Sequence, residues 1–126
     1  LACGVPLASA FGNVDYCRTG ADIHLSWDHT LLRFLRNRER VSARLALQNS
    51  IGRNGLNGLG FIGDPDVFIL RPTGENCALT DAEKYTILLI NQLFGDLIFC
   101  SDVIEDYDKE TKLLYRSIFP LVKRMI

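Results

Sequence analysis

Apolar residues gather in four short runs along this chain, each closed by loop-forming residues: LACGVPL (1–7), NVDYCR (13–18), GLGFIG (58–63) and DLIFCS (96–101). Runs this short and nearly all apolar, without alternation, suit strands buried on both faces, so each predicts a buried β-strand. Stretches with helical patterning lie between them. The first opens after Asp28, placed as an N-cap, and runs HTLLRFLRNRERVSARLALQNSI to a stop near Gly52, with a break expected inside it. The second follows Thr80 and Glu83, three apart as in a capping box, and carries KYTILLINQLF to a stop at Gly95. The third follows Asp108 through KETKLLYRSIF, where Pro120 is expected to kink or split it.

The order is strand, strand, helix, strand, helix, strand, helix, an alternation that points to a parallel α/β sheet. A closed eight-stranded α/β barrel takes about 250 residues. This chain has 126, so a partial barrel is expected. A small doubly wound open sheet is the rival. That rival calls for a phosphate-binding glycine motif in its first strand-to-helix turn. NGLNGLGFIGDPD is rich in glycine but matches neither G-x-G-x-x-G nor G-x-x-x-x-G-K-[ST]. The chain starts at Leu1, inside an apolar run and without a methionine, which is the expectation for an internal segment of a longer protein.

Composition narrows the function classes. Hydrophobic residues make up 48% and charged residues 23%, as in an ordinary globular domain. Fourteen basic side chains stand against 15 acidic ones, so the molecule as a whole does not attract nucleic acid or an anionic membrane surface. No apolar run reaches the roughly 18 residues that span a bilayer. Cys3, Cys17, Cys77 and Cys100 are far apart and set among apolar residues, which favours free thiols in a reducing, cytoplasmic setting, with a secreted parent as the alternative. His24 and His29 fit no zinc spacing, Ser26 and Ser101 lack the G-x-S-x-G setting, and neither a metal nor a cofactor is expected. Arg33, Arg36, Arg38, Arg40 and Arg44 read as a solvated helix face, and Trp27 as a packing residue.

Candidate chemistry sits where strands end, which in parallel α/β folds is where functional groups collect. Asp22 follows the second run, Asp64 and Asp66 the third, and Asp102 the fourth. Side chains four apart in an extended stretch point the same way, so Arg18 and Asp22 can face one pocket if the extension persists through Gly20. A guanidinium on the strand then donates to a substrate hydroxyl while a carboxylic acid beyond it reaches the bond being broken. The plainer alternatives are that Arg18 and Asp22 form an ordinary ion pair and that Asp64 only starts a turn before Pro65. Asp66 stands between a proline and an apolar run with no helix of its own to cap, and Asp102, Glu105, Asp106 and Asp108 read as a solvated loop.

In that order, CGVPL, VDYCRTGADIHLSWD and GDPDVFILR resemble the catalytic barrel of the melibiase-type α-galactosidases, glycoside hydrolase families 27 and 36. The resemblance is specific in the middle, where Arg-x-x-x-Asp is followed some forty residues later by Asp-Pro-Asp; after residue 75 it rests on element order. It implies a (β/α)8 barrel of which residues 1–126 form the C-terminal half, roughly strands 5 to 8 with their helices. It implies a retaining hydrolysis of terminal α-linked galactose through a covalent glycosyl-enzyme intermediate. Asp22 then corresponds to the general acid/base, Arg18 to an arginine on the sugar hydroxyls, and Asp66 to a residue lining the galactose pocket. Cys3, Gly4 and Leu7 fall where the family shapes the pocket around the sugar's C2 substituent. Relatives that carry a glutamate at the place of Gly4, or a tryptophan at that of Ile62, leave the choice of sugar open.

Retaining hydrolysis needs a second carboxylate, and the resemblance puts that nucleophile upstream of Leu1. The isolated chain is therefore expected to be inactive, and the unpaired strand edges of a half barrel favour self-association into a homo-oligomer. Two other readings stand beside this one. One is a different α/β-barrel enzyme using Asp22 and Asp66 as acid and base; the other is a non-catalytic sugar-binding module.

Overall fold

The computed structural model describes residues 7–37, 40–74 and 76–121. In chain order its elements are α1 (Leu7–Ala10), β1 (Tyr16–Arg18), α2 (Thr30–Phe34), α3 (Ala43–Gly52), β2 (Ile62–Asp64), β3 (Val67–Phe68), α4 (Asp81–Phe94), β4 (Phe99–Cys100) and α5 (Lys109–Ser117). Short 3-10 turns occupy Asn54–Leu56 and Ile104–Asp106.

The strands form two parallel pairs, β1 with β2 and β3 with β4. β2 and β3 are two halves of one apolar run, interrupted at Pro65 and Asp66. Proline has no N–H to give a ladder, and Asp66 takes a left-handed backbone with φ 78°. The first half pairs with the strand before it in sequence and the second half with the strand after it. Parallel neighbours need long crossovers; α2 and α3 lie on the first and α4 on the second.

Packing follows from the helix faces. α3 and α4 lie against each other, and α4 also covers β3. Leu47 of α3, Phe68 and Ile69 of the strand run, and Ile87 and Leu88 of α4 share the main core. Ala10, Cys17 and Phe61 form a second, smaller cluster beneath the β1–β2 pair, with Leu7 packed on it. Trp27 packs against the main core, as its sequence position implied.

Local signals explain the helix ends. Thr80 Oγ1 accepts from Glu83 N while Glu83 Oε2 accepts from Thr80 N, the expected capping box, and α4 stops before Gly95. Asp108 caps α5 by accepting from Thr111 N at 2.7 Å. α5 ends at Ser117, short of Pro120 rather than kinked by it.

Some expectations need correction. Of the first run, residues 1–6 lie outside the described residues, and Leu7 opens a helix instead of ending a strand. The stretch after Asp28 does break, as expected, into two helices, α2 and α3, with Ser42 as the second N-cap. Asp28 does not cap α2; His29 does, because the Asp28 carboxylate is buried against Arg40, with Nε at 2.6 Å and Nη2 at 3.1 Å. GLGFIG yields a strand that starts later and runs to Asp64, and β3 was not expected at all. Arg40 and Arg44 therefore belong to the Asp28 cluster rather than to a wholly solvated face.

Candidate active site

The β1–β2 register sets Arg18 directly opposite Asp64. Cross-strand partners on one face are close enough for their side chains to meet, and Arg18 Nε donates to Asp64 Oδ2 at 3.3 Å. The chain then turns through Gly20, where a Cβ would stand 2.9 Å from the Asn49 side chain of α3, and brings Asp22 back to Arg18. Arg18 Nη1 donates to Asp22 Oδ1 at 2.7 Å, and Nη2 lies 3.0 Å from Asp66 Oδ1. Each guanidinium nitrogen thus faces a different carboxylate.

The three acids are not equivalent. The Asp64 side chain is 5% exposed and that of Asp66 7%, whereas that of Asp22 is 56% exposed. Asp64 Oδ1 accepts from Asp66 N at 2.8 Å. Asp66 Oδ2 accepts from Ile23 N at 2.7 Å and its Oδ1 from Val67 N at 2.8 Å. These two carboxylates are committed to backbone N–H groups and to Arg18, while Asp22 reaches solvent. Burial works against the charge of Arg18, but Asp66 and Asp64, with the hydrogen bonds to Asp22 and Asp64, outweigh it and hold the guanidinium above its ordinary range. Nη1 and Nη2 each carry a second N–H, so the fork can still donate to a ligand.

The loop carrying Asp22 is pinned from below. Thr19 N donates to the Asp64 carbonyl at 3.3 Å, and Arg53 Nη1 donates to the Thr19 carbonyl. The sequence therefore placed three of its candidates together: Arg18, Asp22 and Asp66. It did not single out Asp64 as a site residue, though an arginine and an aspartate at the ends of two adjacent strands were a usable signal. Leu7 lies in α1 on the smaller apolar cluster, and Cys3 and Gly4 fall outside the described residues.

Asp102 differs from its expected place in a solvated loop. Its side chain is 1% exposed and accepts from Leu70 N at 2.5 Å, Arg71 Nε at 2.7 Å and the Tyr107 hydroxyl at 2.6 Å. Burial raises its pKa, and the bonds from Tyr107, Leu70 N and Arg71 more than reverse this, leaving it below the usual carboxylate range. The cluster ties the end of the β3 run to the end of β4. A cleft of about 740 Å³ opens beyond it, lined by Leu70, Thr73, Lys84, Tyr85 and Thr111 among others, and the Arg18 cluster does not border it. Convergent charge, not cavity volume, marks the candidate site.

Among the described residues no group of His, Cys, Asp or Glu is arranged to hold a metal ion, and no helix is long and apolar enough to cross a membrane.

No protein-family model matches the sequence. The fold is similar to part of a solved α-galactosidase structure. TtGalA, the α-galactosidase from Thermus thermophilus, matches in its complex with stachyose with a TM-score of 0.78 and 24% identity, over 93% of this chain and 25% of that one. In its complex with p-nitrophenyl α-D-galactopyranoside the TM-score is 0.79 at 24% identity, over 94% of this chain and 24% of that one. The chain spans about a quarter of the length of these structures, and at this identity the likeness is one of fold.

Proposed function

We propose that this chain is part of the catalytic barrel of an α-galactosidase-like retaining glycoside hydrolase, the stretch from about the fifth strand to the eighth. The observation that carries the reading is the convergence of Asp22, Asp64 and Asp66 on Arg18 at strand ends. The fold shared with TtGalA supports it. So does the order of the two motifs in the sequence.

In this reading Asp22 is the general acid/base. It is the one carboxylate of the three with most of its surface in solvent, and Arg18 is already matched by two buried acids, so Asp22 is the surplus one. In the first step the nucleophile, upstream of this chain, attacks the anomeric carbon while Asp22 gives its proton to the leaving glycosidic oxygen. In the second, Asp22 takes a proton from water as that water opens the glycosyl-enzyme bond. Arg18 donates its second Nη hydrogens to sugar hydroxyls, and Asp66 borders the sugar. No cofactor is called for. Asp66 has both oxygens on backbone N–H groups, which speaks against its serving as a shuttling base and so against the rival acid-base enzyme.

The test is hydrolysis of 4-nitrophenyl α-galactoside by the full-length protein carrying this chain, beside its Asp22→Ala variant. Active wild type and a variant slowed about a hundredfold or more support the reading. Galactose binding without hydrolysis by the wild type favours a binding module instead. An unimpaired variant returns Asp22 to the role of an ion-pair partner.

A further inference from the structure

α4 meets the site at Asn91. Asn91 lies in the apolar stretch ILLINQLF and is fully buried, with no exposed surface. Its Nδ2 donates to the Asp66 carbonyl at 3.1 Å, and its own backbone carbonyl accepts from Gly95 N at 2.9 Å. Gly95 closes on the Pro65 ring so tightly that a Cβ there would stand 2.6 Å from Pro65 Cγ. The last turn of α4 thus grips the Pro65–Asp66 break from one side.

Asp66 needs that grip. With φ 78° it sits in the left-handed region, which a residue with a side chain enters at a cost and holds only where its surroundings fix it. In that conformation its carboxylate meets Arg18 Nη2 while accepting from Ile23 N and Val67 N. Asn91 Oδ1, in contrast, has no hydrogen-bond partner among the described residues, and a buried polar atom left unmet is unfavourable. A leucine fills similar space without that penalty. Core packing therefore does not account for an asparagine here, whereas the bond to Asp66 does.

We propose that Asn91 is a positioning residue of the sugar pocket. By holding the Asp66 carbonyl it sets the backbone turn, and through it the aim of the Asp66 carboxylate beside Arg18, without touching substrate itself. The inference rests on the glycosidase reading for what Asp66 does.

The experiment uses Asn91→Leu and Asn91→Ser in the full-length protein carrying this chain. Leucine keeps the bulk and drops the donor; serine is too short to reach Asp66 and serves where leucine overpacks. The first readout is hydrogen exchange, by mass spectrometry, of peptides spanning Ile23 and Val67, whose N–H groups end on the Asp66 carboxylate. A peptide spanning Leu47 is the control. Exchange at Ile23 and Val67 is expected to rise about tenfold relative to Leu47, and exchange that follows Leu47 overturns the proposal. The second readout is kinetic. If Asp66 holds the sugar equally in ground and transition states, KM for 4-nitrophenyl α-galactoside rises about tenfold with kcat within about twofold. Faster exchange with an unchanged KM overturns the pocket role. A wild-type protein that neither binds nor cleaves α-galactosides overturns the proposed function, and the exchange result still judges the Asn91–Asp66 link.

Discussion

Arg18 Nη1 stands 2.7 Å from Asp22 Oδ1, yet the Asp22 side chain keeps more than half its surface in solvent. An exposed ion pair of this kind contributes about 0–1 kcal/mol, so Asp22→Asn is expected to leave the urea midpoint nearly unchanged. On the proposed function, the activity of the full-length protein carrying this chain should respond differently. An oligosaccharide leaving group needs a proton, whereas 4-nitrophenolate leaves readily without one. The variant is therefore expected to lose more kcat/KM on stachyose than on 4-nitrophenyl α-galactoside, by about tenfold or more on general-acid grounds. Equal losses on both substrates would count against Asp22 as the acid.

Arg18 itself is expected to matter for folding as well as for binding. Asp64 and Asp66 are buried beside it, and removing one partner of a buried pair leaves charge uncompensated. Arg18→Met should cost about 3–5 kcal/mol in denaturant unfolding. Arg18→Met combined with Asp64→Asn should cost less than the two single changes added together, since the second change relieves the charge the first exposes. Lysine is a poor substitute, because one ammonium at the end of a flexible stem cannot face carboxylates on three sides.

Much of this arrangement was legible in the sequence, and the parts that were not share a physical cause. The capping box at Thr80 and Glu83 and the Asp108 cap are local signals, and both appear as read. Arg18 and Asp22 are only four apart, whereas Asp66 is a non-local partner, and their place at or just after strand ends brought them to one edge. Asp28 looks like a cap in sequence, but its partner, Arg40, lies twelve positions away, and a buried salt bridge outcompetes the cap. Asp102 departs from its expected place for the same reason: its donors come from Leu70, Arg71 and Tyr107, none of them a sequence neighbour. β3 escaped notice because the apolar run DVFILR is extended over only two paired residues, after a break that depends on tertiary contacts from α4. Nothing in KYTILLINQLF pointed to Asp66 as the partner of Asn91.

The contact between α4 and the Pro65–Asp66 break can be tested by crowding it. A methyl group at Gly95 would meet the Pro65 ring at 2.6 Å and the Asn91 carbonyl oxygen at 2.7 Å, one a rigid ring and the other backbone. Neither can swing aside as a flexible side chain would. Gly95→Ala is expected to cost about 1–3 kcal/mol by overpacking. Gly52→Ala, where a Cβ would meet nothing within 4 Å, is the control and should leave urea unfolding little changed.

The Asp102–Tyr107 pair sets limits on stability at both ends of the pH scale. The Asp102 carboxylate is held below its ordinary range. Its contribution is complete above the unfolded carboxylate value of about 4 and is lost as pH falls through the lower folded value. Tyr107 shifts the other way: burial first, then the bond to Asp102, pushes its phenol well above the ordinary value. A group raised on folding stabilises fully below its unfolded value, about 10 for tyrosine, and that contribution drains away as pH rises beyond it. Stability measured by urea unfolding should therefore fall below about pH 4 and again above about pH 10. Tyr107→Phe is expected to lower stability at neutral pH by about 1–3 kcal/mol, because Asp102 loses a donor. The same change should flatten the alkaline limb, because no phenol remains at that position to ionise. An alkaline limb unchanged in Tyr107→Phe would show that other tyrosines or the lysines govern the high-pH loss.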